Sequence, residues 1–426
     1  MSVQRSGPFQ QPRFIANHNF PNGTRLCLVQ QSPSYDVSLL FWDGSTASIA
    51  ASFELEGQLY KPLSISSNLL RNVRLPPPPA SYGSLEDLVA QMAGAFQERA
   101  HVPEEQSRLL AYCSVASWFP EAWGIAPCVC VASANGSDGV LVLSLLSCFC
   151  RHAVVLAQAS AESLLHICPD LQPTLLLNYS EVPKKVQGII NASCYRGLAI
   201  PRASGEMVHQ FGLKAVAALK PPLHLENSVN VEVPPRQGGP AMFWDEDLLR
   251  ELASEFQPKL LRYRLERFRE VVASNFDIPE FTSPMREIAR SLGMCLCSTG
   301  LREDLSALLR ERDEEVRAGR SAEESAIIVE ALLIATHDLQ AETVYVGKVA
   351  EIGNAILEMR GEQPALSARG VGAILKAIGL YTQKLDKAGR GLPLDRRNRE
   401  KIHTLARNYG VRSIANAFTG CPHCKA

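Results

Sequence analysis

Ser133-Ala-Asn-Gly-Ser-Asp-Gly-Val-Leu-Val-Leu-Ser-Leu-Leu-Ser147 places a loop of small residues between two apolar runs, residues 125–131 before it and 140–150 after it. A buried strand, a small-residue loop and a helix form the frame in which P-loops hold phosphate, because backbone N–H groups and the helix N-terminus converge on the anion. Laid on the spacing G-x-x-x-x-G-K-[ST], Ala134 stands at the first glycine, Gly139 at the second, Val140 at the lysine and Leu141 at the magnesium-binding hydroxyl. The frame is present and both charge-handling groups are absent. Two readings remain for the loop itself: a vestigial nucleotide loop around Gly136 and Gly139 with weak residual binding, or a plain turn joining strand to helix.

Three further runs, 153–157, 173–177 and 214–219, are short, continuously apolar and separated by segments of helical length. Runs of that kind suit strands buried on both faces of a parallel sheet with crossover helices, although periodicity leaves buried helices open as an alternative. A phosphate-transferring core needs an acidic pair at the end of one such strand, to hold magnesium and to orient water. The run 173–177 ends instead in Asn178-Tyr179, which brings no charge and no base near pH 7.

Residues 108–235 resemble the P-loop ATPase domain of phage- and plasmid-type helicase and primase-associated proteins, the AAA-like group. The resemblance rests on Pro173-Thr-Leu-Leu-Leu-Asn-Tyr-Ser-Glu181 against a motif P-T-L-L-I-D-E-A-D, on Ile190-Asn-Ala-Ser-Cys-Tyr-Arg-Gly197, and on Phe211-Gly-Leu-Lys-Ala215. It implies a P-loop fold. Where those relatives place D-R-S before the last core strand, with an arginine that can contact a γ-phosphate, this chain has Glu226-Asn-Ser228. The departures imply a core without ATPase activity, since an arginine finger alone is worth about 10³–10⁵ in rate.

At 426 residues the chain is long enough for several domains, and 46% apolar with 20% charged residues is ordinary for a globular protein. Residues 1–20 carry Arg5 and Arg13 without an apolar segment, so no secretory signal is expected, and the run 140–150 is too short for a bilayer. The twelve cysteines sit mostly in apolar runs, as reduced cytoplasmic thiols would. Residues 1–75 alternate in short runs around Asp43-Gly44 and Glu56-Gly57, which predicts a small β-rich module. The prolines at 76–79 mark its end. Residues 85–239 then form the α/β domain, and residues 240–320 a helical lid region whose mixed charges suit solvated faces.

The net charge of -1 is unevenly placed: residues 361–426 hold 12 Lys/Arg against 4 Asp/Glu, which leaves 31 against 40 for the rest. Within this basic end, residues 322–338 and 347–359 read as amphipathic helices. A third begins after Ser367, with Val371, Ile374, Leu375 and Ile378 on one side. Two short strands around residues 386–390 follow. Three helices and a basic hairpin predict a winged helix over residues 321–412, with a third helix for the major groove and a wing for the backbone. Arg369 and Lys376 then point outward and Lys384, Lys387 and Arg390 line the wing, while Arg396, Arg397, Arg399, Lys401 and Arg407 add charge from a final helix.

The same face could be solvated or serve a protein partner. DNA is the expected partner and RNA the second, with no membrane; a homo-oligomer or a protein partner stays open. Residues 413–426 are expected to be a mobile tail in which Cys421-Pro-His-Cys424 could be half of a zinc site or a redox pair but has no second C-x-x-C; a free tail with incidental metal affinity is the expectation, with no metal and no cofactor, and His403 reads as a packing residue rather than a ligand. The resulting expectation is a P-loop NTPase-like α/β protein, catalytically silent, acting as a DNA-associated scaffold or regulator. The alternative is an active helicase- or primase-related ATPase with an unconventional site.

Overall fold

The computed structural model describes residues 11–31, 36–133, 135–219, 227–234, 245–321, 323–337, 341–386, 389–411 and 421–424. The chain divides into two units. One comprises Met1–Glu280 and Pro284–Leu308, the other Phe281–Ser283 and Leu309–Ala426, so the boundary falls inside the helix Thr299–Ser321.

The first unit is built on five strands, β1 (Cys128–Ser133), β2 (Ala153–Ala157), β3 (Thr174–Asn178), β4 (Lys214–Ala218) and β5 (Ser228–Val233). Every pairing among them is parallel, and the strand order is β5-β1-β4-β3-β2. Residues such as Val129, Leu176 and Val216 are fully buried, as strands covered on both faces require. Helix α1 (Gly136–Phe149) links β1 to β2 and is apolar nearly all round, because it lies between the sheet and the helices Leu85–Ala100 and Glu246–Ala273. This mixed α/β arrangement is consistent with a P-loop-like core.

Residues 11–62 form two small sheets, a four-stranded antiparallel one and a three-stranded one that includes a parallel pair between Arg13–Ile15 and Gln58–Pro62. They share one hydrophobic cluster with the large sheet: Leu26, Leu28, Leu39 and Tyr60 lie with Cys130, Leu175 and Val216. The described residues of the β-rich module expected over 1–75 thus share a core with the α/β layer.

A charged cluster is also buried in this unit. Arg264, fully buried, donates from both terminal nitrogens to the Glu121 carboxylate at 2.9 and 2.7 Å, and Arg151 Nη1 lies 3.6 Å from the same group. Arg264 also donates to the Trp118 carbonyl, and the guanidinium of Arg25 donates to Leu265 O and lies over Phe268. Burial alone would raise the Glu121 carboxyl. Arg264 and Arg151 overcome it and hold the group down at about 2. Helix Glu246–Ala273 therefore enters the core through Arg264, Tyr263 and Leu260, where the sequence had suggested a lid.

The second unit has its own core. Helices α2 (Glu324–Thr336), α3 (Val346–Met359), α4 (Ala368–Ala377) and α5 (Arg396–Asn408) surround Ile328, Val349, Val371, Leu375 and Ile402. Strands β6 (Thr343–Tyr345), β7 (Gln383–Asp386) and β8 (Gly389–Pro393) form an antiparallel sheet in the order β6-β8-β7. Ser367 caps α4 by accepting from Gly370 N, and Gly379 at φ +74° closes its end. There Leu380 N donates to Leu375 O at 2.7 Å and Gly379 N to Lys376 O at 3.1 Å, the paired bonds that a left-handed glycine permits.

Among the described residues no helix is long and apolar enough to cross a membrane. All twelve cysteines are unbridged.

Candidate nucleic-acid interface and the phosphate-loop position

In open α/β sheets ligands bind beyond the carboxyl ends of the strands, where the strand order reverses. Register brings Ser133, Ala157, Asn178, Ala218 and Val233 to that edge, and none of the five carries a charge. The sequence pattern predicts a loop through Gly139 and a helix from Val140. In the structure α1 already begins at Gly136, so two residues separate it from β1. Ala134, the position aligned with the first glycine, lies outside the described residues. Gly136 and Gly139 therefore sit in the first turn of a helix, and residues 136–139 are not the extended cradle that a phosphate loop forms.

The helix N-terminus is also occupied chemically. Asp138, 6% exposed, brings a carboxylate into the first turn of α1, its N–H donates to Asn135 O at 3.1 Å, and its Oδ2 lies 3.4 Å from Asn135 Nδ2. Its negative charge complements the partial positive charge that would otherwise attract phosphate. Ser133 Oγ donates to Asn135 O at 2.8 Å, which ties the short connection to itself.

Gly139 is needed for packing. A Cβ there would stand 2.9 Å from Ser133 Oγ and 3.1 Å from Ala217 Cβ, because α1 presses on β1 and β4 at that point. Gly139→Ala is expected to cost about 1–3 kcal/mol through overpacking, read as a lower urea midpoint. An unchanged midpoint would show that α1 can lift from the sheet without cost.

The remaining positions of the resemblance have structural partners. Asn178 is half-buried at the end of β3, between Ala157 and Ala217 in the ladder. Next to it the Tyr179 hydroxyl donates to Ala159 O at 2.6 Å, and burial pushes the phenol up, away from any role as a base. Lys214 starts β4 and so lies at the amino edge, opposite the phosphate position. Its Nζ donates to Gly212 O, Gln210 O and Ser193 O at 2.7, 2.9 and 3.2 Å. Arg196 stacks on Phe211 at 4.5 Å and donates to Trp123 O at 2.6 Å. The segments 190–197 and 211–215 thus clamp each other.

In the second unit a groove of about 900 Å³ opens between the start of α3, the helix α4 and the β7–β8 hairpin. Arg369, Lys376 and Arg390, which the sequence had placed on two separate elements, line it together with Lys348. Glu351 is the acidic group there and accepts from Lys348 Nζ at 2.9 Å. Arg369 and Lys376 are exposed along α4 with Ala373 between them, because Val371 and Leu375 are taken up by the core. Arg390 Nε donates to Thr382 Oγ1 at 3.0 Å and a terminal nitrogen to Thr382 O at 2.5 Å, so the exposed guanidinium is held at the groove. Gly347, Ala368 and Gly372 leave room for a backbone to come close.

Lys384 is exposed and pairs with Arg390 across the hairpin, whereas Lys387 lies outside the described residues. Two basic residues counted from sequence are engaged internally. Arg399 donates to the carbonyls of Leu394 at 2.8 Å, Ala341 at 2.6 Å and Thr336, and Lys401 Nζ donates to Gly379 O at 2.6 Å. Tyr381, which no sequence motif marks, is 72% exposed on the groove wall beside Lys376 and Arg390. Its position directly before a basic strand was the available signal. Within the segment expected as a tail, Cys421 is 5% exposed, with its Sγ 3.3 Å from His403 Nε2.

No protein-family model matches the chain, and no curated protein matches it. Among solved structures it is similar to the apo form of the NrS-1 C-terminal region, at 11% identity over 88% of this chain and 97% of that one, with a TM-score of 0.37. It is also similar to Drosophila ORC bound to DNA, at 13% identity over 76% and 93% of the two chains and a TM-score of 0.20. Cdc6p from Pyrobaculum aerophilum matches at 11% identity over 78% and 96%, with a TM-score of 0.18.

Proposed function

We propose that this chain is a DNA-associated scaffold or regulator with a P-loop-like core that does not turn over nucleotide and a C-terminal winged helix that touches the duplex. The observation that carries the reading is the convergence of Arg369, Lys376, Lys348 and Arg390 on one groove whose wall includes the exposed Tyr381. In this reading α4 enters the major groove, with Arg369 and Lys376 beside it, and the β7–β8 hairpin follows the backbone through Lys384 and Arg390. The major groove of A-form RNA is too narrow and deep for a helix, which favours DNA over duplex RNA.

About four phosphate contacts give a salt slope near −3.6, or roughly a 10²-fold loss of affinity between 50 and 200 mM salt. Fluorescence anisotropy on matched DNA and RNA duplexes reads this directly. Tighter binding to the RNA, or a flat salt response, would sink the groove assignment.

The silent core is supported by the two-residue connection, the Asp138 carboxylate at the helix start and the neutral carboxyl edge. Among the described residues at that edge there is no cation placed for a γ-phosphate and no carboxylate pair placed for magnesium, the groups on which phosphoryl transfer depends. Titration with ATP, with and without Mg²⁺, is expected to show neither saturable binding at micromolar concentrations nor phosphate release. Micromolar binding with turnover would overturn this half of the proposal and leave the DNA half standing.

A further inference from the structure

Four metal-ligating side chains that the DNA reading does not use meet inside the C-terminal unit. His337 stands at the C-terminal end of α2, His403 is buried on α5, and Cys421 and Cys424 bracket a turn closed by Cys424 N donating to Cys421 O. One ligand atom from each lies within 4.8 Å of all the others, the one group of this kind among the described residues. His337 Nε2 is 3.1 Å from Cys424 Sγ, and His403 Nε2 is 3.3 Å from Cys421 Sγ. In a zinc tetrahedron with S at about 2.3 Å and N at about 2.0–2.1 Å, such atoms stand roughly 3.5 Å apart. One thiol near one imidazole is an ordinary contact; two such pairs converging on a point form a donor set.

We infer that His337, His403, Cys421 and Cys424 bind one zinc ion as a closed structural site. The orientation of His403 supports it. Nδ1 is 2.7 Å from Arg399 O, and a carbonyl can only accept, so Nδ1 carries the proton and Nε2 presents its lone pair to the centre. Two thiolates and two neutral imidazoles make a Cys₂His₂ set, which fills a tetrahedron and leaves no position for substrate. A redox role for the C-x-x-C fits less well, since its first thiol is 5% exposed and faces an imidazole, where an exchanging thiol needs access.

The site has a mechanical consequence. Arg399, four residues before His403, already binds the carbonyls of Thr336 and Ala341, on either side of His337 in the chain. Zinc would fasten the Cys421–Cys424 turn to that same corner between α2 and α5.

The test uses the full chain, purified with reductant, exposed to zinc chloride and desalted through a chelating resin. About one zinc per chain is expected by atomic emission. Cys421→Ser/Cys424→Ser and His337→Ala should each lose it, while His423→Ala, which changes the histidine inside the turn but outside the donor set, should keep it. Cobalt(II) chloride added to the metal-free wild type should give the intense visible bands of a tetrahedral ion together with thiolate charge transfer, a readout that stands even if a variant misfolds. Equal metal in wild type and the double-cysteine variant, or a pale octahedral cobalt spectrum without charge transfer, overturns the inference.

Discussion

Replacing Arg369, Lys376 and Arg390 together by alanine is expected to weaken binding of the full chain to duplex DNA by about 10²-fold at low salt and to reduce the salt slope by roughly 2.7. The first figure follows from about 1 kcal/mol for each exposed, charge-assisted contact to phosphate, the second from about 0.9 counterions released per neutralised phosphate. Both should move together, because the same cations make the contacts and displace the counterions. Arg369 and Lys376 lie on the exposed side of α4, and the core residues beneath them, Val371 and Leu375, are untouched, so the fold should survive. Arg390 also bonds Thr382, which makes Arg390→Lys a useful companion: it keeps the charge and gives up the paired hydrogen bonds. Arg250→Ala, an exposed arginine of the other unit, should leave binding unchanged. Full retention of affinity by the triple variant would remove the groove from any account of DNA contact.

The parts of the fold that could be read from sequence were those with a local cause. Residues 153–157, 173–177 and 214–219 announced β2, β3 and β4 because strands buried on both faces need unbroken apolar runs. The start of α1 was misplaced by four residues, since Gly136, Ser137 and Gly139 look like loop, while the sign of a helix start was Asp138 in the first turn. Strand β6 is three residues long, too short to show a period. Arg399 and Lys401 looked like solvated charge on an exposed helix, and their acceptors, Thr336, Ala341 and Gly379, are tens of residues away. The same distance hides the cluster of His337, His403, Cys421 and Cys424. No spacing rule joins a helix end, a mid-helix position and a terminal C-x-x-C.

The second large effect is expected at Glu121, which no motif marks. Glu121→Ala leaves the buried guanidinium groups of Arg264 and Arg151 without their counter-charge, a situation that costs about 3–5 kcal/mol. The pH dependence gives an independent figure. The carboxyl is held at about 2 in the folded state against an ordinary 4.5. A shift of that size corresponds to roughly 3 kcal/mol, since each unit is worth about 1.4 kcal/mol. Because the folded value is depressed, this stabilisation is fully present above pH 4.5 and is lost as the pH falls towards 2. The gap in unfolding free energy between wild type and Glu121→Ala should therefore narrow by about half between pH 7 and pH 3. Urea unfolding followed by tryptophan fluorescence suits the measurement: Trp42, Trp118 and Trp123 are buried in the unit that contains Glu121, so their signal reports on that unit. A gap below about 1 kcal/mol at pH 7 would place the pair in the range of surface ion pairs, and water would then have to reach the two arginines.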